Sequence, residues 1–210
     1  MPTLEHIAER LATHPPEVSE PETGARQASV AIILRARASR RRPGERVTDV
    51  LFIRRAEKDG DPWSGHMAFP GGHRDQSDAS LLAAALRETR EEIGLELDAT
   101  RELIGALTPH AVQPRMRPIG MHIAPFVFRL DREAHLALSH EVAEVVWTPL
   151  APIFAGENHT EENRIIDGAP VAFGGYRING GHFVWGLTYR MLHAFFAVLD
   201  PAWRAPGSAP

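Results

Sequence analysis

Residues 80–94 are the segment of this chain with the fewest folding options, and the residues before them dictate how that segment must be placed. Ser80 or Asp78 can accept the first free backbone N–H groups of a helix. Leu82, Leu86, Thr89 and Ile93 recur at helical spacing along one stripe, and Gly94 stands where a C-terminal cap belongs. Upstream, Met67, Ala68 and Phe69 read as the end of a strand. Pro70-Gly71-Gly72 then forces a tight turn whose glycines allow positive φ and close approach of backbone to a ligand. Strand, glycine turn, loop and helix in that order is the architecture of a site.

The stripe opposite the apolar one carries Glu88, Glu91 and Glu92 within an arc of about 100°. Carboxylates three and four positions apart repel by a few tenths of a kcal/mol per pair, and no lysine or arginine shares the arc. Such a stripe is often a solvated face braced by pairs such as Arg87 with Glu91. The glycine turn beside it favours a second reading, in which a hard divalent cation sits over the three carboxylates. On either reading the acidic face is expected to point away from the core.

These residues resemble the signature of the Nudix hydrolases: a glycine, a spaced acid, then Arg-Glu, an apolar residue, any residue, Glu-Glu, any residue, glycine and an apolar residue. The chain supplies Gly72, Asp78 and Arg87-Glu88-Thr89-Arg90-Glu91-Glu92-Ile93-Gly94-Leu95. It departs in having Asp at 78 and one extra residue before Arg87, an expansion that resembles the coenzyme A pyrophosphatase branch. Leu51-Phe52-Ile53-Arg54-Arg55-Ala56, Gly65, Glu141-Val142-Ala143-Glu144-Val145-Val146-Trp147 and Trp185-Gly186-Leu187-Thr188 also look like that branch. Asp61, however, stands where its second upstream arginine would fall.

The resemblance implies an α/β fold, a Nudix-type α/β/α sandwich with a mixed β-sheet, and a metal-dependent pyrophosphohydrolase. Glu88, Glu91 and Glu92 are then ligands of Mg²⁺ or Mn²⁺, oxygen-preferring cations that keep waters and substrate phosphates in an octahedral shell. Gly72 would add its carbonyl, and Arg87 would brace a carboxylate. The implied substrate is coenzyme A or an acyl derivative, cleaved to adenosine 3′,5′-bisphosphate and a 4′-phosphopantetheine; ADP-ribose, NADH and dinucleoside polyphosphates are alternatives. Glu88 or a loop glutamate would take a proton from the attacking water, with Glu141, Glu144, Glu157, Glu161 and Glu162 as loop candidates. Arg55, Arg115 and Arg117 are the substrate-binding candidates, because guanidinium grips phosphate bidentately; Trp63 could stack on a base or simply anchor its loop.

Composition agrees with a small-molecule enzyme. The chain has 210 residues, 43% of them apolar and 24% charged, enough for one domain with a sizeable core. Cysteine is absent, which excludes disulfides and thiolate chemistry and is compatible with a reducing cytoplasm. No signal-peptide-like or membrane-length apolar run is seen, and a homodimer is compatible with the reading. Arg35, Arg37, Arg40, Arg41, Arg42 and Arg46 raise a rival, an RNA-end-binding or cap-processing protein. The net charge of −4 and the lack of interleaved aromatics weigh against it.

Three segments are expected along the chain. Residues 1–27 comprise a short helix at Leu4 to Leu11 and a Pro- and Glu-rich linker, 28–200 the catalytic domain, and 201–210 a disordered tail. Strands are expected at Ala28 to Leu34, Val47 to Ile53, Leu103 to Leu107, Ile119 to Phe128, Val142 to Thr148, Arg164 to Phe173 and His182 to Val184. A closing helix is expected from Leu187 to Leu199.

Overall fold

The computed structural model describes residues 3–17, 24–40, 42–61, 63–112, 120–166 and 168–207. Its frame is two long strands, β1 (Arg26–Ala38) and β2 (Arg46–Arg55), paired antiparallel. Both are apolar at consecutive positions, so both of their faces must be covered. One face presents Ile32, Leu34, Val50 and Phe52, and the other Ala31, Ile33, Leu51 and Ile53. The first packs on helices α1 (Leu4–Thr13), α3 (Leu150–Phe154) and α4 (Gly186–Leu199); the second packs on α2 (Leu81–Ile93). This is the expected sandwich.

Around the two long strands lie β3 (Met67–Ala68), β4 (Gly71–His73), β5 (Leu103–Ala106), β6 (His110–Val112), β7 (Met121–Arg129) and β8 (Val142–Pro149). The path runs β3-β2-β1-β7-β5, with β4 on β1, β6 on β7 and β8 on β2. β1 and β7 are parallel and the other pairings antiparallel, which makes the sheet mixed. A second, three-stranded sheet holds β9 (His159–Ile166), β10 (Ala169–Arg177) and β11 (Phe183–Trp185).

Three expectations change. The apolar stretch Arg164 to Phe173 is a hairpin, with Ile165 opposite Pro170 and Gly168 at φ +80°. The single strand expected there runs across Asp167-Gly168, a dipeptide that favours a tight reversal, and the two halves oppose each other instead. Residues 201–207 do not trail away: Trp203 donates its indole N–H to the Phe154 carbonyl at 2.9 Å and packs on Phe196.

The third change concerns α1, whose Leu4, Ile7 and Leu11 are buried in the main core. Thr3 caps it, its hydroxyl accepting the His6 N–H at 3.2 Å. The helix is thus a wall of the domain. Ile7→Ala should cost about 2–5 kcal/mol, as for other fully buried aliphatic truncations, read by urea unfolding. A change below about 0.5 kcal/mol, the usual size of a surface effect, would show that α1 is an appendage.

Candidate active site

α2 is held at both ends by the residues its sequence offers. Ser80 Oγ accepts the Ala83 N–H at 3.1 Å, and Gly94, at φ +68°, donates its N–H to the Arg90 carbonyl. Asp78, the other possible cap, is used elsewhere. Small residues, Ala84 and Ala85, are fully buried and let the helix lie close to the sheet, followed by Thr89 and Ile93. Leu82 and Leu86 are only partly buried at the edge of that contact.

The acidic face does not all point to solvent. Glu92 is 3% exposed and Glu88 half-buried, while Glu91 is open. The reason is β4, which has no side chains at its first two positions and can therefore pass directly against the helix. Gly71 donates its N–H to Glu92 Oε2 at 2.9 Å. At Gly72 a Cβ would lie 2.5 Å from the Glu88 carboxyl carbon, so backbone and carboxylate are in direct contact.

Arg87 knits the loop to the helix. It donates from Nε and Nη2 to Asp78 at 2.9–3.3 Å and from Nη2 to the His73 carbonyl at 2.9 Å; Nη1 faces Glu88 at 3.0 Å and Glu91 at 2.9 Å. Hydrogen bonds from Arg87 hold the Asp78 carboxyl below its usual range, and Asp78 in turn raises the guanidinium. Arg87 is thus charged throughout and points at carboxylates.

Burial pushes Glu88 up, and Arg87 only partly offsets this. Glu92 is pushed up to about 8, chiefly by burial and secondarily by Glu88 and Glu141, against the opposing Gly71 N–H. Two adjacent carboxyls that resist ionisation in a protein-only environment are suited to a divalent cation, which would favour their charged forms. Among the described residues no three His, Asp or Glu side chains already converge on one point. Glu91 is turned to Arg87 and would have to leave it to join Glu88 and Glu92. The donor set fits a hard cation in chemistry.

Beside Gly71 and Gly72 opens a cavity of about 480 Å³, lined by Arg55, Trp63, His66, Met121, Trp185 and Met191 among others. Arg55 is paired with Asp61 at 3.0 Å and favours the charged form of Glu92. Trp185 packs edge-on against His66 and Phe173, with ring centroids 4.8 and 4.9 Å apart. Glu141 bears electrostatically on both buried glutamates, whereas Glu144 faces Arg54 at 3.6 Å and His182 at 3.3 Å. Glu162 pairs with Arg164 at 3.2 Å. Arg115 and Arg117 lie outside the described residues. Met121, Trp185 and Met191 were not among the sequence candidates for the site; only the run from Trp185 to Thr188 carried any family signal.

Residues 25–167 match the family model described as NUDIX domain. A protein of Citrobacter koseri, described as an uncharacterized Nudix hydrolase NudL, is 34% identical over 189 residues, 89% of each chain. An uncharacterized Schizosaccharomyces pombe protein is 35% identical over 162 residues, and there the alignment spans 71% of this chain but only 49% of the relative. Among solved structures, a MutT/nudix family protein from Enterococcus faecalis superposes with a TM-score of 0.49 at 19% identity, covering 95% of this chain and 70% of that one. The NUDIX domain of Shewanella oneidensis NrtR, solved with ADP ribose, gives a TM-score of 0.48 at 19% identity, covering 70% and 86%.

The chain belongs to the Nudix family. It is a hydrolase of phosphoric anhydride bonds, of a kind that generally needs divalent metal ions. No helix among the described residues is long and apolar enough to cross a membrane.

Proposed function

We propose that this hydrolase cleaves the diphosphate of coenzyme A or an acyl-coenzyme A, releasing adenosine 3′,5′-bisphosphate and 4′-phosphopantetheine. The observation that supports this most is the cavity beside Gly71 and Gly72. Its walls are mainly apolar, with Val30, Met121, Ile123, Leu187 and Met191, and so suit the long uncharged pantetheine arm of a ligand whose diphosphate lies at the glycines. Glu88, Glu91, Glu92 and the Gly72 carbonyl would hold Mg²⁺ or Mn²⁺. When bound, that cation supplies neutralisation of the diphosphate oxygens and of the leaving phosphate. Arg87 keeps the helix and the Asp75–Asp78 loop in register. Glu88 or Glu141 would take the proton of the attacking water, whose oxygen bonds to phosphorus as the bridging oxygen leaves. Arg55, which lines the cavity, would contact the substrate. A catalytic unit over 28–200 that α1 and Trp203 pack against, a cytoplasmic location and a homodimeric state belong to the same proposal.

Hydrolysis of coenzyme A, ADP-ribose, NADH and a dinucleoside tetraphosphate with Mg²⁺ or Mn²⁺, products resolved by chromatography, tests it. Selective cleavage of coenzyme A is expected. Preference for another compound would keep the reaction class and discard the substrate. The arginine cluster gives the RNA reading little support: Arg35 and Arg37 are drawn to the buried Asp49 at 3.5 and 2.7 Å, Arg35 lies over Trp147, and Arg42 faces Glu45. Arg41 lies outside the described residues.

A further inference from the structure

Arg55 is the one arginine or lysine among the described residues that line the cavity. Its donors are divided. Nη2 is bound to Asp61 Oδ2 at 3.0 Å, while Nε is buried and has no hydrogen-bond partner among the described residues. Asp61 is itself mostly covered, with 15% of its side chain exposed, and its second oxygen accepts the Trp63 backbone N–H at 3.0 Å. One carboxylate therefore fixes both the cation and the backbone of the exposed tryptophan at this cavity.

We propose that Asp61 is a specificity-determining residue, acting by withholding Arg55 from any phosphomonoester and so admitting the uncharged half of a diphosphate substrate to the cavity. A bidentate grip on a phosphate dianion needs two parallel guanidinium donors. Here Nη2 is shared with a competing carboxylate at 3.0 Å, whose charge would repel a dianion approaching the same guanidinium. This inference rests on the reading of the cavity as the substrate site, though not on coenzyme A being the compound turned over.

The test compares coenzyme A with dephospho-coenzyme A, which lacks only the 3′-phosphate, by kcat/KM in the wild type, Asp61→Asn and Asp61→Asn/Arg55→Gln. In parallel, calorimetry measures binding of adenosine 3′,5′-bisphosphate and of AMP to the same proteins. Asn keeps an acceptor for the Trp63 N–H, and melting temperatures confirm folding; Asp61→Ser serves if Asn does not fold. In the wild type the 3′-phosphate should change neither readout by more than about threefold. In Asp61→Asn the 3′-phosphorylated member should gain about tenfold, the scale of one charge-assisted hydrogen bond, mainly in KM, and the double variant should lose that gain. An unchanged ratio in both readouts overturns the proposal, as does a wild-type preference for the 3′-phosphate that Asp61→Asn abolishes, or no binding of either nucleotide by any of the proteins. If the wild type cleaves neither coenzyme but the binding ratio moves as expected, the substrate assignment fails and the role of Asp61 stands.

Discussion

Glu92→Gln is expected to lower kcat/KM by about 10²–10³-fold while making the metal-free protein more stable near pH 8. The activity loss follows from removing a charge that would hold the cation against the diphosphate. The stability gain follows from burial. In the metal-free protein the Glu92 carboxyl is raised from about 4.5 to about 8, so between those values the folded chain keeps a proton that the unfolded chain has released. Stability must then fall as pH rises through that window and level off above it. Urea unfolding in chelator should show this decline in the wild type, amounting to a few kcal/mol, and a flatter profile in Glu92→Gln. Adding Mg²⁺ or Mn²⁺ at pH 8 should restore the wild type and leave the variant unchanged. Equal pH profiles for the two proteins, or near-normal turnover by the variant, would remove Glu92 from the metal site.

The adjacent glycines should separate folding from catalysis. At Gly71, with φ +151°, a Cβ would drive into the Ser29 carbonyl and the Val30 Cα of β1, both backbone atoms with nowhere to go. Gly71→Ala should therefore destabilise by about 3 kcal/mol or more, through strain and overpacking. At Gly72 the nearest clash is with the end of the Glu88 side chain, 2.5 Å away. A flexible carboxylate can move, so Gly72→Ala should change stability by less than about 1 kcal/mol, within the range of a tolerated core change. It should nevertheless reduce activity at least about 100-fold, because a misplaced carboxylate loses its catalytic geometry. Thermal unfolding and turnover measured on both variants decide the matter; a Gly72→Ala protein with full activity would mean that the Glu88 position is not critical.

Both expectations depend on the way β4 runs under α2, a contact between segments far apart in the chain. Ser80, Gly94, the apolar stripe and the spacing of the three glutamates act within about four residues of one another, the range over which capping and helical periodicity operate. They were legible for that reason, as was the glycine turn. The burial of Glu92 was not, because it is produced by Gly71, twenty-one positions away, passing over a helix face that periodicity alone assigned to solvent. The hairpin at 159–177 was legible in Asp167-Gly168, a strong turn signal, but the single strand expected from Arg164 to Phe173 runs across it.

Tertiary structure also decided which of several equivalent residues could act together. Glu141 and Glu144 are three apart and chemically alike, yet Glu141 bears on the buried glutamates while Glu144 is engaged by Arg54 and His182. Trp185 reaches the cavity from the second sheet, 113 positions after Gly72, and Asp61 meets Arg55 across a loop. The sequence by itself determined the local elements, the family and the identity of the carboxylates, since these are written in short-range patterns. Only the folded chain decided which carboxylates lose their water, which arginine is neutralised and what walls the cavity, because burial and ion pairing are set by distant segments brought into contact.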